Sequence, residues 1–418
     1  MKRIGYACLA LAVPDTDFKS CIMKNATEDR LMELISHNLR SLENLVDYNV
    51  RNNIRLFRIS SDIIPFASSP VNELEWWELF REDFERIGGK ISESGMRVSM
   101  HPGQYTVLNS PDRGIVERAV LDLEYHNRFL NCLGATSINK IILHLGGVYG
   151  DEKSAMERFA ENYKRLEDAI KDKLVLENDD RSYNVCRILE TAVPLGIPVV
   201  YDNLHNHVKG CASEDDIEWI MECRKTWNPK DGTQKIHYSQ QNPERQAGAH
   251  TYTIGIDEFL AFHESLGALD IDIMLEVKDK NMSAIKCMNC TSDNETPGPL
   301  QRDWARYKYL FMEKAQAEYK KAGKLFALNN YPALDFYRMT ERIIKMESST
   351  GEAVNAAEHV WGYFKNTATE AEGRKFFRAL ERYKAGSLRL ASVKKILWGL
   401  VKKYDPPYLR ESYYFLDL

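Results

Sequence analysis

The sequence predicts an α/β fold, a (β/α)8 TIM barrel, with an additional α-helical C-terminal extension. Three observations predict it. Eight short apolar, β-branched runs alternate with longer stretches of helical period. Six of the ten histidines, and three carboxylates, fall at or just past the ends of those runs. After Lys280 the alternation stops and helical periods continue alone.

The predicted strands are Arg3–Ala7, Ile54–Ile59, Met96–Met100, Ile138–Leu145, Leu174–Leu176, Ile197–Tyr201, Lys235–Tyr238 and Ile271–Val277, the seventh being the least apolar. Between them lie amphipathic stretches. The first, Thr27–Leu45, opens on a capping Thr-Glu-Asp and places Leu31, Leu34, Ile35, Leu39, Leu42 and Leu45 on one face. The segments 73–94, 113–133, 152–171, 184–192, 213–224 and 256–266 read the same way. An open doubly wound sheet would favour a Gly-rich phosphate fingerprint after the first strand, and residues 3–13 have none.

These patterns divide the chain into a barrel over 1–280, a linker over 281–302 holding Pro297, Gly298 and Pro299, and a helical extension over 303–418. Helices are expected there over 304–321, 334–347, 352–365 and 370–384. The 418 residues suit a barrel of about 250–300 residues plus an addition.

No signal segment is evident, since the apolar stretch after Arg3 is cut by Pro14 and Asp15. No apolar run reaches the roughly 18 residues of a membrane span. The expectation is a soluble, intracellular, cytoplasmic monomer. Eight dispersed cysteines are expected as reduced thiols; Cys287 and Cys290 form one CxxC without the second pair of a zinc site. Net charge is −5, but residues 301–418 carry 22 Lys+Arg against 14 Asp+Glu, leaving the remainder at −13. An acidic body suits bound divalent cations, and a basic C-terminal segment suits either phosphate or a solvated surface.

The position of the polar residues carries the chemistry. His37, His126, His263 and His359 fall within helical segments and read as structural or surface groups. His101 follows the third strand, His144 ends the fourth, His205 and His207 follow the sixth, His237 sits on the seventh, and His250 lies just after it. Glu177, Asp202 and Glu276 stand at the ends of the fifth, sixth and eighth strands. Strand C-termini of a parallel barrel converge on one mouth. Burying His101, His144, Glu177, Asp202, His205, His237, His250 and Glu276 together is costly unless divalent metals compensate. Mixed N/O ligation suits Zn2+, Mn2+ or Fe2+ better than Ca2+. A carboxylate such as Glu177 can bridge, so two or three ions are expected, a cluster suited to phosphoester hydrolysis.

At these residues the sequence resembles the UV damage endonucleases. The matching segments include Gly5-Tyr6-Ala7, Arg58-Ile59-Ser60-Ser61, Met100–Tyr105, Leu143–Gly147, Leu176–Asp179, Asp202–His205, Lys235-Ile236-His237 and Leu275–Lys278. The resemblance implies a metal-dependent DNA repair endonuclease that nicks duplex DNA immediately 5′ to cyclobutane dimers and 6-4 photoproducts. It implies 3′-hydroxyl and 5′-phosphate ends, and Mn2+ as the ion, with Zn2+ or Mg2+ as alternatives. His101, His144 and Glu177 then hold one metal; Glu177, Asp202, His237 and Glu276 a second; His205 and His250 contribute to a third. Catalytic roles fall to Glu177, Lys235 and His237, with Lys235 matching a lysine that can be carboxylated. Gln104 and Tyr105 match a pair that wedges into the duplex, and Tyr6 a residue lining the lesion pocket.

Two departures stand out. Ser69 occupies a position where relatives carry His, and Gly248 one where related abasic-site enzymes carry a metal-binding Asp. Three other readings remain: an abasic-site endonuclease with the same ligands, a non-catalytic DNA-binding protein, and a sugar isomerase or epimerase. The last would need only Glu177, Asp202, His237 and Glu276 for one metal.

Overall fold

The strands form where short apolar runs can be covered on both faces. They are β1 (Ile4–Ala7), β2 (Leu56–Ile59), β3 (Arg97–Met100), β4 (Lys140–His144), β5 (Leu174–Glu177), β6 (Val199–Asp202), β7 (Lys235–Tyr238) and β8 (Asp272–Leu275). In the computed structural model, which describes residues 2–213, 215–293, 295–328, 331–416 and 418, all eight pair in parallel. β8 returns to β1, so the barrel closes. The register sets His144 beside Glu177 and Asp202 beside His237, which brings ligand-type side chains level at one end.

The helices between strands are α1 (Glu28–Arg51), α2 (Trp76–Leu79), α3 (Arg81–Glu93), α4 (Arg113–Cys132), α5 (Glu152–Arg165), α6 (Asp168–Lys171), α7 (Val185–Leu195), α8 (Asn203–Val208), α9 (Asp216–Arg224) and α10 (Ile256–Ser265). Thr27 caps α1 by accepting from Arg30 N, and the six apolar residues of its predicted face are all buried. Such a stripe has no stable place except against the barrel. The opposite end of the barrel is plugged by charge. Arg97 pairs with Asp272 at 2.8 Å and Lys140 with Asp231 at 2.6 Å, all four buried.

Helices then follow one another: α11 (Asn281–Cys290), α12 (Pro297–Lys314), α13 (Gln316–Leu328), α14 (Ala333–Ile344), α15 (Thr350–Trp361), α16 (Glu370–Lys384) and α17 (Leu390–Tyr404). The chain forms two compact units. The first comprises Met1–Leu9, Thr16–Ile254 and Ala261–Ala284; the second comprises Ala10–Asp15, Gly255–Leu260 and Ile285–Leu418. The second has a core of its own, in which Tyr309, Val360, Phe376, Leu397 and Val401 are buried together.

Several expectations need correction. The predicted linker over 281–302 is largely helical, because Pro297 and Pro299 sit in the first turn of α12, where a missing N–H is no loss. The single helix expected over 304–321 breaks at Ala315, which is extended at φ −162°. The helix α17 lies beyond the expected helices, although Leu390, Val393, Leu397, Leu400 and Val401 carry a helical period. Cys186 and Cys211 are a disulfide and not free thiols, brought to a Cα separation of 6.3 Å from positions 25 apart. Cys287 and Cys290 lie on α11 and form no disulfide. No helix of the described residues is long and apolar enough to cross a membrane.

Candidate metal centre

Glu177 ends β5, where the last inward position of the strand opens into the mouth. It is 1% exposed and touches ligand-type atoms on both carboxylate oxygens. Its Oε2 lies 3.0 Å from His101 Nε2 and 3.7 Å from His144 Nε2. Its Oε1 lies 2.6 Å from His237 Nδ1 and 3.9 Å from His205 Nδ1. Two groups thus converge, His101–His144–Glu177 and Glu177–Asp202–His237, each with donor atoms within 4.8 Å of one another. They share Glu177.

The residues fit metal ions by their unanswered polarity. His144 Nδ1, Asp202 Oδ2 and His237 Nε2 are buried with no hydrogen-bond partner among the described residues. A buried polar atom left unpaired costs about 1–3 kcal/mol, and Asp202 Oδ2, in the second of these groups, is one that an ion held there would satisfy. Imidazole nitrogens with carboxylate oxygens suit Zn2+, Mn2+ or Fe2+. Burial would raise the Glu177 carboxyl, but the charges of His237 and His144 outweigh it and hold it well below the usual range. Burial pushes Asp202 up to about 6, and Asp202 and Glu177 together raise His205 to about 9 against the opposing effect of burial.

The remaining predicted ligands stand close by, outside these two groups. Glu276 Oε1 is 3.2 Å from His237 Nδ1, but the same carboxylate is engaged by Arg58 of β2. His250 Nδ1 is 3.9 Å from Glu276 Oε2. Gly248 is in the left-handed region at φ +83°, and a Cβ there would meet Asp180 Oδ2 at 2.5 Å. A side chain at 248 would have to move the Asp180 carboxylate aside, on a backbone conformation that favours glycine.

Supporting contacts hold the ligands. His101 Nδ1 lies 2.9 Å from Pro102 O, which leaves Nε2 for Glu177 or a metal. Ser61 Oγ donates to His101 O, and His126 Nε2 lies 2.9 Å from that hydroxyl. His126, expected as a plain helical residue, is thus one step removed from the site. Asn178 exchanges two hydrogen bonds with the Asp202 backbone, and its own carbonyl lies 2.8 Å from His205 Nδ1. Arg58 is the main residue that sequence reasoning missed. A cation between Phe57 and Ile59 in a strand was the available signal, since a buried charge needs a partner.

Above the ligands is a cavity of about 1090 Å³, lined by His101, His144, His205, His250, Glu276 and Arg58 among others. Gln104, Tyr105 and Ser69 also line it, and Tyr105 is 70% exposed. Tyr6 does not belong to this lining, which corrects the expectation. It is fully buried beside Phe57, and its hydroxyl donates to Asn49 of α1 at 2.8 Å. Alternation along β1 turns it to the helix layer. Lys235 is also fully buried, and its Nζ has no hydrogen-bond partner among the described residues. Burial, then the nearby Arg97, lowers its pKa well below the ordinary lysine value.

The model of the UV-endonuclease UvdE family matches residues 2–298. The chain belongs to this family. The UV DNA damage endonuclease of Clostridium perfringens is 36% identical over 418 residues, covering 99% of both chains. The protein of the same name from Bacillus cereus (strain B4264) is 32% identical over 298 residues, 69% of this chain and 93% of its own. The crystal structure of SacUVDE superposes with a TM-score of 0.66 at 34% identity, covering 69% of this chain and 98% of that one. Membership makes the protein a DNA endonuclease of UV-damage repair. A second family model, for a protein of unknown function (DUF1722), matches residues 308–417.

Proposed function

We propose that this protein is a metal-dependent endonuclease that incises duplex DNA immediately 5′ to cyclobutane pyrimidine dimers and 6-4 photoproducts, leaving 3′-hydroxyl and 5′-phosphate ends. One observation carries the reading: Glu177 reaches both candidate ligand groups, with its two oxygens divided between them. A carboxylate so placed can bridge two ions. His101, His144 and Glu177 would hold one; Glu177, Asp202 and His237, with Glu276 adjacent, would hold a second; His205 and His250 would serve a third. Two or three ions are proposed, Mn2+ first, with Zn2+ or Mg2+ as alternatives. Such ions supply hydroxide at neutral pH and neutralise charge on the phosphate and the leaving oxygen.

The protein's own groups prepare that chemistry. Asn178 fixes the Asp202 backbone, and Arg58 holds Glu276 in place. The exposed ring of Tyr105 and the amide of Gln104 would fill the space left when damaged bases leave the stack, as wedge side chains do elsewhere. Burial, then Arg97, lowers the Lys235 pKa and so shifts the amine toward the neutral form, the form that adds carbon dioxide, which fits carboxylation of Lys235.

The test is incision of an end-labelled duplex containing one cyclobutane dimer, with Mn2+ and with EDTA, beside undamaged and abasic duplexes. A Mn2+-dependent nick immediately 5′ to the dimer is expected. Cleavage of the abasic duplex alone would replace this reading with an abasic-site endonuclease. Cleavage of none would remove it.

A further inference from the structure

The second compact unit concentrates its charge in one helical hairpin. Residues 301–418 have a net charge of +8, and the 35 residues 370–404, the hairpin of α16 and α17, carry ten Lys+Arg against three Asp+Glu, a net of +7. The hairpin is well held. Lys403 and the Tyr404 hydroxyl both reach Glu372 across the pair, at 2.7 and 2.8 Å. Phe376, Leu380, Val393, Leu397 and Val401 form its buried side.

Internal pairing does not remove the excess. Lys394 is buried on Glu313 at 2.7 Å. The three hairpin carboxylates are each taken by a neighbour: Glu370 by Arg374, Glu372 by Lys403 and Glu381 by Lys384. Lys375, Arg378, Arg382, Arg389, Lys395 and Lys402 are exposed and have no carboxylate partner among the described residues. Lys375, Arg378 and Arg382 stand at i, i+3 and i+7 on α16 and so form one stripe. It runs about 10 Å along the helix. An ordinary solvated surface intersperses both signs. Here every acid is already engaged, in a chain whose remaining residues are acidic.

We propose that the α16–α17 hairpin is a docking surface for the phosphate backbone of duplex DNA, sequence-independent and separate from the metal centre. Duplex DNA presents one negative charge per ~1.7 Å of axis, so a stripe of this length meets several phosphates. The proposal rests on membership of a DNA-acting family for its choice of polyanion. Tethering a backbone-binding surface to a nuclease raises the local concentration of substrate without any new contact at the reacting bond.

The test uses the full chain and a fluorescein-labelled undamaged duplex, with Kd measured across a salt series. The variant is Lys375→Gln/Arg378→Gln/Arg382→Gln; the exposed positions should leave the fold intact, which circular dichroism checks. A charge-matched control changes Lys320, Lys324 and Lys345 to Gln. The hairpin variant should bind about 10-fold more weakly, with a salt slope shallower by roughly 2–3, since each phosphate contact contributes about 0.9. The control should bind like the parent. An unchanged Kd and slope in the hairpin variant would overturn the proposal, as would an equal loss in the control. Unchanged duplex binding with lost binding to phosphatidylserine vesicles would overturn it in favour of a membrane surface. Because the probe is undamaged, weakened binding supports the surface whether or not a dimer duplex is incised.

Discussion

A carboxylate buried as fully as Glu177 carries a desolvation cost that neighbours must offset. Here His101, His144 and His237 do so, and a bridging metal would do more. Strand-end placement made these residues legible from sequence, because parity near the end of one barrel strand sets which side chains enter the mouth. Tyr6 shows the limit: aromatic and at a strand end, it has the parity that faces α1. Arg58 shows the converse, a site residue hidden in an apolar run. It predicts a measurable coupling. Arg58→Met leaves Glu276 without its cation in a half-buried place, so the metal-free protein should lose roughly 1–3 kcal/mol of stability. Mn2+ should restore part of that loss by neutralising the same carboxylate. Chemical denaturation with Mn2+ and with EDTA measures both; an identical deficit in the two conditions would remove Glu276 from the metal centre.

The elements that matter most are the loops leaving the strands. After His144 the chain turns through Gly146 at φ +112°, and a Cβ there would collide with the Asn109 side chain. Asn109 in turn donates to Gly147 O at 2.8 Å, and the Tyr183 hydroxyl donates to the same carbonyl. Gly146→Ala should therefore cost about 2–3 kcal/mol, through both backbone strain and the clash. The loss should appear as a lower thermal midpoint and weaker metal retention at His144; an unchanged midpoint would show that the loop yields freely. All eight strands were legible as apolar runs, since the barrel covers both faces of each. The helical segment over 281–302 was not, because Pro-Gly-Pro is ambiguous between a linker and a helix's first turn until the following residues are packed.

At the scale of the molecule, the two compact units use buried charge differently. The first gathers it at the barrel mouth, for chemistry, and at the opposite end, as the Arg97–Asp272 and Lys140–Asp231 pairs. Among the described residues the second buries Lys394 with Glu313 at 2.7 Å, each at most 2% exposed, and Arg306 with Asp303 at 3.4 Å. Breaking such a pair leaves an uncompensated charge. Lys394→Met should cost about 3–5 kcal/mol, while Lys394→Met/Glu313→Leu should recover most of it. Urea denaturation of the full chain, following the transition of the helical unit, distinguishes the two. A double variant no better than the single would mean that the pair is needed for packing and not for charge balance.

The sequence by itself determined the barrel, the helical extension and the convergence of His101, His144, Glu177, Asp202 and His237. Periodicity and strand-end position are local properties, and parallel closure follows from their repetition. Tertiary structure alone decided that Arg58 would occupy Glu276, that Tyr6 would turn away from the cavity, and that Asp180 would fill the space beside Gly248. It also decided that Cys186 would meet Cys211. Each of these depends on which distant side chain arrives at the same point, and no local pattern encodes that meeting.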